Sequence, residues 1–480
     1  MFPKSLLSVC IALGLAVTSV QAASSTGNRI LVALEKQVSQ NDYSKFWASL
    51  RERGYELTFK SPLDTSPSLT AFDERSFDHV ILFTPTSKNY SPDLSPQALI
   101  KHLSLNGNIL IGTSPSISEF NRDFAREFSI EFQPSDSYLI DHAHFSSTFD
   151  QAEAPHTALA LSYAESIVHN AAVVSSGYEY KCPVVYRGIA HSYGKEPSPL
   201  LVPILHGSKS SYSAEPRVPE GPDDSVYPPE FLAGSKAQLV SGFQTLDNSR
   251  VVFAGSIDLF SDKFWDTPVQ LPTQDVKKAH VPADCASTGN RAFVKDVTQW
   301  AFQEKGVLRV VNATHHRVGE TEERELYRIK DDLSYSITLQ SHDPNGKKSS
   351  WLPAQVKDLQ LDFTMLDPHV RVDLLPVAAG AGARSEGQEY SAEFKAPDRH
   401  GVFKFLVDYK RAGWSFVHSS QTVSVVPFRH DEYPRFIQGA WPFYSGALST
   451  VGAFVLFCVL WLGWKEPAVV AVKVDQKKEI

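Results

Sequence analysis

The stretch GSIDLFSD carries two aspartates four positions apart, Asp258 and Asp262. Paired carboxylates can divide the roles of general acid and general base between them. Aspartates between a strand and a helix also accept hydrogen bonds from backbone N–H groups and stabilise the turn. We expect the stabilising role for these two carboxylates. The sequence also contains no D-x-D pair that would bind a metal ion.

Two groups of histidine and acidic residues have the chemistry of metal ligands: His315, His316 and Glu320, and Asp141, His142 and His144. Adjacent histidines in a strand point to opposite faces of the sheet, so the first group does not converge easily on one ion. Alternate residues of the second group could share an ion, but no further ligand cluster lies nearby in the sequence. We therefore expect structural roles for both groups and no metal ion.

Signatures of nucleotide binding and of nucleophilic catalysis are missing from the sequence. The first strand-like run, RILVALE, is not followed by the G-x-G-x-x-G loop that binds a dinucleotide. No G-x-S-x-G nucleophile elbow occurs. The net charge of −8, without a long block of one sign, argues against a nucleic-acid partner. We predict no catalytic residue and no cofactor.

Two apolar segments predict how the chain meets a membrane. Residues 1–22 have a basic start, an apolar run and small residues at Val20 and Ala22, which is the pattern of a cleaved signal peptide. Residues 441–464 carry no charge, are long enough to cross a bilayer and have aromatic side chains at both ends. We expect a single-pass type I protein whose bulk is lumenal and whose residues 465–480 form a cytosolic tail.

The tail ends in KKEI, which places Lys477 and Lys478 at the fourth and third positions from the carboxyl terminus. Two cations and a free carboxylate can be recognised together only at a flexible end. In a cytosolic tail this pattern resembles the dilysine signal that coat proteins read to return type I proteins to the endoplasmic reticulum. We therefore expect coat proteins as partners and residence in the endoplasmic reticulum membrane.

Cys182 and Cys285 are the cysteines expected in the lumen, because Cys10 leaves with the signal peptide and Cys458 lies in the span. In an oxidising compartment a disulfide between them is the simplest arrangement. The alternative is a pair of buried free thiols.

Two sequons, at Asn312 and Asn89, are candidate sites for N-glycans in the same compartment. Pro92 closely follows the second sequon and makes it the poorer acceptor. A bare sequon is a weak signal, so occupancy of both sites remains a hypothesis.

Within the span, small side chains recur at Ser445, Ser449 and Ala453. Helices in a bilayer associate by close backbone approach, because lipid offers no hydrophobic drive between them. The stripe is therefore a candidate packing surface for helices of partner subunits. The alternative is that small residues are simply common in membrane spans.

The lumenal part shows two patterns of apolar residues. Residues 23–145 and 146–306 alternate apolar strand runs with helices, which predicts an α/β unit with a parallel sheet and its continuation. One helix is expected in NDYSKFWASLRERGY with Asn41 or Asp42 as cap, and another in RAFVKDVTQWAFQEKGV with Gly306 as stop. Residues 307–428 alternate apolar and polar positions, which predicts an antiparallel β-sandwich.

The order of these segments resembles a known family, the DDOST-type, wheat-germ-agglutinin-binding, non-catalytic subunit of the oligosaccharyltransferase complex. The resemblance depends on SRVVFAGSIDLFSDKFW, on WAFQEKGVLRV followed by HHRVGE, on HGVFKFLVDYKRAGWSFVHSSQTVSVVPFRHDEYPRFI, and on KKEI. It implies a Rossmann-like (GIFT-type) α/β region and scaffolding within the complex that transfers an oligosaccharide from dolichyl diphosphate to Asn-x-Ser/Thr. The family's partners are the other subunits, which it meets through the lumenal domains and the span, with glycan or lipid-linked oligosaccharide as a further contact.

Two other functions fit the same features. One is a recycling type I membrane protein that binds glycans or acts on cargo like a chaperone. The other is a lumenal enzyme with an unrecognised site in the α/β region. The W-W-D-Y-G signature of the complex's multi-span catalytic subunit is absent, which favours a non-catalytic role. Stable co-purification with a membrane complex would separate these functions.

Overall fold

The computed structural model describes residues 24–150, 155–174, 182–216, 232–270, 284–285, 287–343, 350–366, 369–377 and 387–466. The expected signal peptide and both lysines of the dilysine signal lie outside the described residues.

The α/β region, residues 24–306, contains strands and helices in alternation. Its strands are β1 (Arg29–Leu34), β2 (Glu56–Lys60), β3 (Thr70–Ala71), β4 (Glu74–Arg75), β5 (His79–Phe83), β6 (Asn108–Gly112), β7 (Ile130–Phe132), β8 (Tyr138–Ile140), β9 (Leu159–Leu161), β10 (Val184–Tyr186), β11 (His191–Tyr193), β12 (Leu201–His206), β13 (Tyr212–Ala214), β14 (Gln238–Gln244), β15 (Arg250–Ala254), β16 (Val269–Gln270) and β17 (Asp284–Cys285). Its helices are α1 (Ser44–Glu52), α2 (Pro96–Ser104), α3 (Glu119–Arg126), α4 (Tyr163–Ser166), α5 (Asp262–Asp266) and α6 (Asn290–Ala301).

A nine-stranded mixed sheet forms the centre of this region, in the order β2-β1-β5-β6-β15-β14-β11-β7, with β12 also paired to β14. The five strands from β2 to β15 are mutually parallel, whereas β14 and the strands beyond it are antiparallel. Side chains of β1 alternate between two buried clusters, with Ile30 and Val32 on one face and Leu31 and Ala33 on the other. Because both faces are covered, the parallel strands are continuous apolar runs.

Both expected parts of the α/β region contribute to this one sheet. Strands β1, β5 and β6 come from residues 23–145, and β14 and β15 come from residues 146–306. The parallel pairing of β6 with β15 joins the two parts directly.

Helix α6 packs its apolar side chains into the core, and Phe293, Val297 and Trp300 are almost completely buried, as the sequence predicts. The Asn290 side chain fixes the start of the helix, because it accepts from Val185 N at 2.7 Å and donates to Val185 O at 2.8 Å. The expected stop at Gly306 is wrong, since the helix ends at Ala301. A further buried turn follows before the chain enters the β region.

The β region follows with strands β18 (Leu308–Arg317), β19 (Leu326–Arg328), β20 (Asp332–Asp343), β21 (Ser350–Pro353), β22 (Gln360–Thr364), β23 (His369–Asp373), β24 (Leu375–Pro376), β25 (Gln388–Lys395), β26 (Gly401–Tyr409) and β27 (Val417–Val426). They form two five-stranded sheets, one built on β18, β20 and β25 and the other on β27, β26 and β22. The pairings are antiparallel apart from β19, which runs parallel to β27.

One apolar cluster serves both sheets of the β region. Tyr335 of β20 stacks on Phe405 of β26 with ring centroids 5.4 Å apart, so the two sheets contact each other through their inner faces. The alternation of buried and exposed side chains along β26 matches the period of two expected for such a strand.

The α/β and β regions are joined by a buried arginine. The Arg250 guanidinium donates from Nη1 to Trp300 O and Lys305 O, both at 2.7 Å, and from Nη2 to Gly306 O at 2.7 Å. It also lies over the Trp300 ring, whose N–H donates to Gly413 O in the β region at 2.8 Å. This arrangement fixes the chain where it passes from one region to the other.

Helix α7 (Trp441–Gly463) follows the β region and agrees with the span expected at residues 441–464. Together with the turn before it, the segment Gln438–Gly463 is the one helix among the described residues that is long and apolar enough to cross a membrane. None of its most apolar window is buried within the protein, which agrees with a helix that faces lipid or partner helices.

Candidate functional site at the carboxyl edge of the sheet

The strand order of the parallel sheet reverses between β1 and β5. Strand β2 lies beside β1 on one side, whereas β6 lies beside β5 on the other. The connection that leaves β1 and the connection that leaves β5 therefore run in opposite directions along the sheet. In open α/β sheets, ligands bind outside the carboxyl ends of the strands at such a reversal. Loops that begin at Glu35, Thr84 and Gly255 form this carboxyl edge.

Glu35 ties two of these loops together. Its carboxylate accepts from Thr86 N at 3.0 Å and from the Thr86 hydroxyl. The backbone N–H of Glu35 also donates to Phe83 O at 3.2 Å. These contacts hold the first loop in register with the second and form one wall of the edge.

Asp258 provides a carboxyl group at the same edge, just beyond the end of β15. Burial raises its pKa above the ordinary value, whereas the nearby charges of Arg187 and Lys263 lower it. Arg187 also forms an ion pair with Asp150 at 2.7 Å. A carboxyl group whose pKa is raised by burial can exchange a proton or hydrogen-bond to hydroxyl groups.

Asp262 has a structural role at the start of helix α1. Its Oδ2 accepts from Ser44 N at 3.0 Å and from Ser44 Oγ at 2.6 Å, and its Oδ1 accepts from Lys45 N at 2.9 Å. The expected caps, Asn41 and Asp42, lie instead within a preceding 3₁₀ turn. Through these hydrogen bonds Asp262 stabilises the amino terminus of helix α1.

The histidines of the β region have separate structural contacts. His315 is buried, stacks on Phe405 at 4.7 Å and has Nδ1 2.7 Å from Tyr327 Oη. A nitrogen of the neighbouring His316 instead lies 3.1 Å from Arg317 O, and Glu320 forms an ion pair with Arg324.

The second group is organised by Asp141, which is completely buried. Its carboxylate accepts from Ala143 N at 2.8 Å and from the hydroxyls of Ser208 and Ser210, and it lies 3.1 Å from His144 Nδ1. Burial alone would raise the pKa of Asp141, but these hydrogen bonds outweigh it and lower the pKa to about 2. The carboxylate therefore stays ionised and holds the loop in place.

Across the described part of the chain, no group of three or more His, Cys, Asp or Glu side chains is arranged to hold a metal ion. His142 contacts His156 and Tyr212, with Nδ1 2.8 Å from His156 Nδ1 and Nε2 2.9 Å from Tyr212 Oη. The two histidine groups thus have structural contacts within the α/β and β regions.

Cys182 and Cys285 form a disulfide, with their Cα atoms 5.8 Å apart. The bond links the segment before β10 to β17 and lies beside the start of helix α6. A Cβ atom on Gly289 would come within 2.4 Å of Cys182 O, so the close approach here requires glycine.

The remaining predicted positions are exposed. Asn312 lies on β18 and Asn89 lies in the loop after β5, and both have exposed side chains. On helix α7, the hydroxyls of Ser445 and Ser449 donate to the carbonyls of Pro442 and Gly446 of the same helix. Ala453 is also exposed.

Sequence reasoning did not find Arg250 or Glu304. Glu304 is completely buried and accepts from Arg53 Nη1 at 2.8 Å and from the Tyr55 hydroxyl at 2.6 Å. Its charge and its position after a helix resemble those of a solvent-exposed residue, and no local signal marks its distant partners.

Two family models match this chain: the OST48 N-terminal domain over residues 21–304 and the OST48 middle domain over residues 315–465. They correspond closely to the α/β region and to the β region with its apolar helix. The chain therefore belongs to the OST48 family.

Full-length relatives agree with this assignment. The dolichyl-diphosphooligosaccharide–protein glycosyltransferase 48 kDa subunit of Caenorhabditis elegans is 34% identical over 97% of this chain and 98% of its own. The subunits of the same name from Arabidopsis thaliana and Danio rerio are 32% and 33% identical over 91% of this chain and over 93% and 92% of their own lengths. Among solved structures, the match to a putative ThuA-like protein from Parabacteroides merdae covers 58% of this chain and 90% of that protein at 10% identity. Its TM-score of 0.27 is too low to indicate a shared fold.

Proposed function

We propose that this chain is a structural, non-catalytic subunit of the oligosaccharyltransferase complex, which glycosylates asparagines of nascent proteins. The observation that carries the proposal is similarity over nearly the whole length of relatives that are named as the 48 kDa subunit. The hydrogen bonds that Asp262 accepts at the start of helix α1 support the proposal that the subunit is non-catalytic, because they engage one of the two carboxylates of the acidic pair.

Depletion of the chain in living cells tests this role. We expect N-glycosylation of reporter sequons to fall, and the remaining subunits to lose their stable association. Membranes from cells that re-express the Asp258→Ala/Asp262→Asn double variant should recover at least half of the transfer rate at saturating lipid-linked donor, since neither carboxylate is required for chemistry. Normal reporter glycosylation after complete depletion would contradict the proposed function.

The fold supports scaffolding by two separate regions. The reversal of strand order at β1 and β5 supports a Rossmann-like (GIFT-type) α/β region, and the shared core of the two five-stranded sheets supports a β-sandwich. We propose that both present surfaces to neighbouring subunits.

We propose that the chain is a type I protein of the endoplasmic reticulum membrane, with both folded regions in the lumen. The single apolar helix near the end of the described chain and the disulfide support this topology. Asn312 tests it, because a lumenal sequon on an exposed strand can carry a glycan. The unmodified chain should lose mass on glycosidase treatment and Asn312→Gln should not, which would support the lumenal orientation. A chain that carries no glycan and whose cysteine thiols are labelled by a reagent added on the cytosolic side would contradict it.

The carboxyl edge is the surface that we propose for contact with glycan or lipid-linked oligosaccharide. Asp258 offers a partly buried carboxyl group to sugar hydroxyls, and Glu35 orders the adjacent loops. Asp258→Asn should raise the Michaelis constant of the complex for the lipid-linked donor several-fold, whereas exposed Asp123→Asn should not. Equal constants for the two variants would exclude this contact.

Two further partners are proposed for the ends of the membrane span. The stripe of Ser445, Ser449 and Ala453 would pack on helices of partner subunits. Ser449→Leu should then loosen the chain from the detergent-solubilised complex, unlike Leu460→Ile.

Coat proteins would recognise Lys477 and Lys478 in the tail. Changing both lysines to serine should release, from the endoplasmic reticulum, a reporter that carries only this span and tail.

A further inference from the structure

The two ends of the β region have different neighbours. At one end, the loop between β26 and β27 holds the α/β region, because the Gly413 carbonyl accepts from the Trp300 ring at 2.8 Å. At the opposite end the chain leaves β27 at Val426 and leads to helix α7, which begins at Trp441. We call this second end the helix-side end.

Apolar side chains are exposed at the helix-side end. Val402 of β26 and Leu326 of β19 both pair with Ser424, near the end of β27, and they are 57% and 48% exposed. Side chains opposite each other in a sheet point to the same face, so these residues form one row on the outer face. Further from this end the same face carries the exposed polar pair Lys404 and Thr422.

A turn after β22 places a further apolar side chain at the same end. Strand β22 runs antiparallel to β26 and ends at Thr364, so the next residues approach Gly401, where β26 begins. A Cβ atom on Gly401 would clash with Met365 Sδ, which shows how closely the turn packs on β26. Leu366 follows and is 101% exposed.

The linker between the β region and helix α7 is fixed at two points. Near its start, Glu432 accepts from Arg429 N at 2.8 Å and from Arg328 Nη2 of β19 at 3.2 Å. Near its end, the Phe436 ring packs on Trp441 and Tyr444 in the first turn of α7, with ring centroids 6.0 and 5.1 Å apart. The linker is therefore attached both to the β region and to the start of the helix.

These two attachments limit the distance between the β region and the start of the helix. The chain from Glu432 to Phe436 reaches at most about 14 Å, even when it is fully extended. Tyr433, Phe436 and Ile437 are 53%, 54% and 61% exposed. Aromatic rings beside the first turn of a membrane span lie in the headgroup layer, which is about 5–8 Å thick. The helix-side end is thus held close to the level of the lipid headgroups.

We propose that the helix-side end docks on the lipid surface of the membrane, through Phe436 and Ile437 of the linker and Leu366 of the neighbouring turn. The inference rests on the membrane span proposed for α7. Within residues 427–440 two arginines balance one aspartate and one glutamate, so insertion of apolar side chains, rather than attraction to anionic headgroups, provides the binding. Docking sets the height of the α/β region above the membrane, because that region is attached to the opposite end.

Depth-dependent quenching of a fluorescent amino acid tests this docking. The probe replaces Phe436 or Leu366 in the full-length chain, which is reconstituted with its co-purified partners in phosphatidylcholine vesicles. Leu63 is the control position, because it is 59% exposed in the loop after β2, at the carboxyl edge of the α/β sheet. Another probe replaces Val451, near the middle of α7. The vesicles carry a nitroxide either at the headgroup or at the end of the lipid chain.

We expect the headgroup nitroxide to remove about half or more of the fluorescence at positions 436 and 366, and little of it at position 63. The chain-end nitroxide should quench the probe at position 451. Absence of quenching at 436 or at 366, with 451 quenched, would overturn the docking and leave the span intact. Absence of quenching at 451 would instead refute the proposed span. Quenching at 436 that requires anionic lipid would overturn the apolar mechanism.

Photocrosslinking in native membranes distinguishes lipid from a protein partner. Benzoylphenylalanine at position 436 keeps an aromatic ring beside the first turn of α7 and should crosslink to phospholipid, identified by mass. The same group at position 63 should give no lipid crosslink. Crosslinks from position 436 to another subunit alone would overturn the assignment of lipid as the partner.

Discussion

His102 shows how a single residue can make the stability of this fold depend on pH. The ring is completely buried on helix α2, and neither nitrogen has a hydrogen-bond partner among the described residues. A Cβ atom on Gly107 would come within 2.1 Å of His102 Nε2, so the ring fills the space that glycine leaves. Burial, with a smaller effect of the Arg75 charge, lowers the pKa of His102 from 6.5 to about 4.

Because its pKa is lowered, His102 should destabilise the fold as the solution becomes acidic. Between pH 6.5 and about 4 the unfolded chain binds a proton that the folded chain rejects, so the free energy of unfolding falls as pH falls. The loss from this residue reaches up to about 3 kcal/mol. We expect His102→Leu to reduce the drop in urea midpoint between pH 7 and pH 4.5, measured on the full chain in detergent.

Exposed His400→Leu is the control for that measurement and should retain the original pH dependence. Part of the dependence should remain in His102→Leu as well, because burial also lowers the pKa of His79 and of His191 to about 3. An unchanged pH profile in His102→Leu would contradict the account.

At the scale of elements, helix α1 begins with a carboxylate supplied by another helix. Tyr43, which precedes the helix, makes no side-chain capping bond, and Asp262 of helix α5 accepts from Ser44 N and Lys45 N instead. The cap therefore also fixes the packing of α1 against α5. Their aromatic side chains meet beside it, with the rings of Phe46 and Trp265 6.4 Å apart.

Removal of this cap should weaken both the helix and its packing. Asp262→Ala leaves two backbone N–H groups without their partner, and we expect the free energy of unfolding to fall by about 1–2 kcal/mol. Asp266→Ala, which removes an exposed ion pair with Lys45 from the same helix, should cost less than about 1 kcal/mol. Chemical denaturation followed by tryptophan fluorescence distinguishes the two, and equal effects would show that Asp262 is not a cap.

At the scale of the whole molecule, Arg250 holds the two folded regions together. Burial lowers its pKa to about 9, so the guanidinium stays charged at neutral pH. Its described hydrogen-bond partners are three backbone carbonyls and the hydroxyl of Ser415. A planar, forked donor group suits this arrangement, and lysine could not reach all the acceptors at once.

Arg250→Met should uncouple the regions and destabilise the chain. It removes the three hydrogen bonds to carbonyls at the junction, although Trp300 O and Gly306 O still accept from Gln303 N and Ser415 N. We expect a loss of about 3 kcal/mol in the free energy of unfolding. Arg309→Met, which removes an arginine stacked on Trp351 at the surface, should cost about 1 kcal/mol or less. Limited proteolysis near residue 306 measures the difference, and a resistant Arg250→Met chain would contradict this role.

Local patterns predicted the elements, whereas distant contacts decided how they end and pair. The continuous apolar runs of β1, β5 and β6 predicted a covered parallel sheet, and the alternation along β26 predicted a half-buried strand. The cap of α1 could not be predicted, because Asp262 lies far along the chain. The parallel pairing of β6 with β15 likewise depends on tertiary packing rather than on local sequence.

The candidate site was only partly predictable for the same reason. Asp258 was marked by its type and spacing, but its burial next to Arg187 follows from the fold.

Purification of the intact chain from its native membrane tests the central claim most directly. The measurement is oligosaccharide transfer from dolichyl diphosphate to an Asn-x-Ser/Thr peptide, by the chain with its co-purified partners and by the chain stripped of them. We predict that transfer activity accompanies the assembled complex and is absent from the stripped, folded chain. Transfer by the isolated chain, or purification of the chain without partners or activity, would contradict its assignment as a structural subunit.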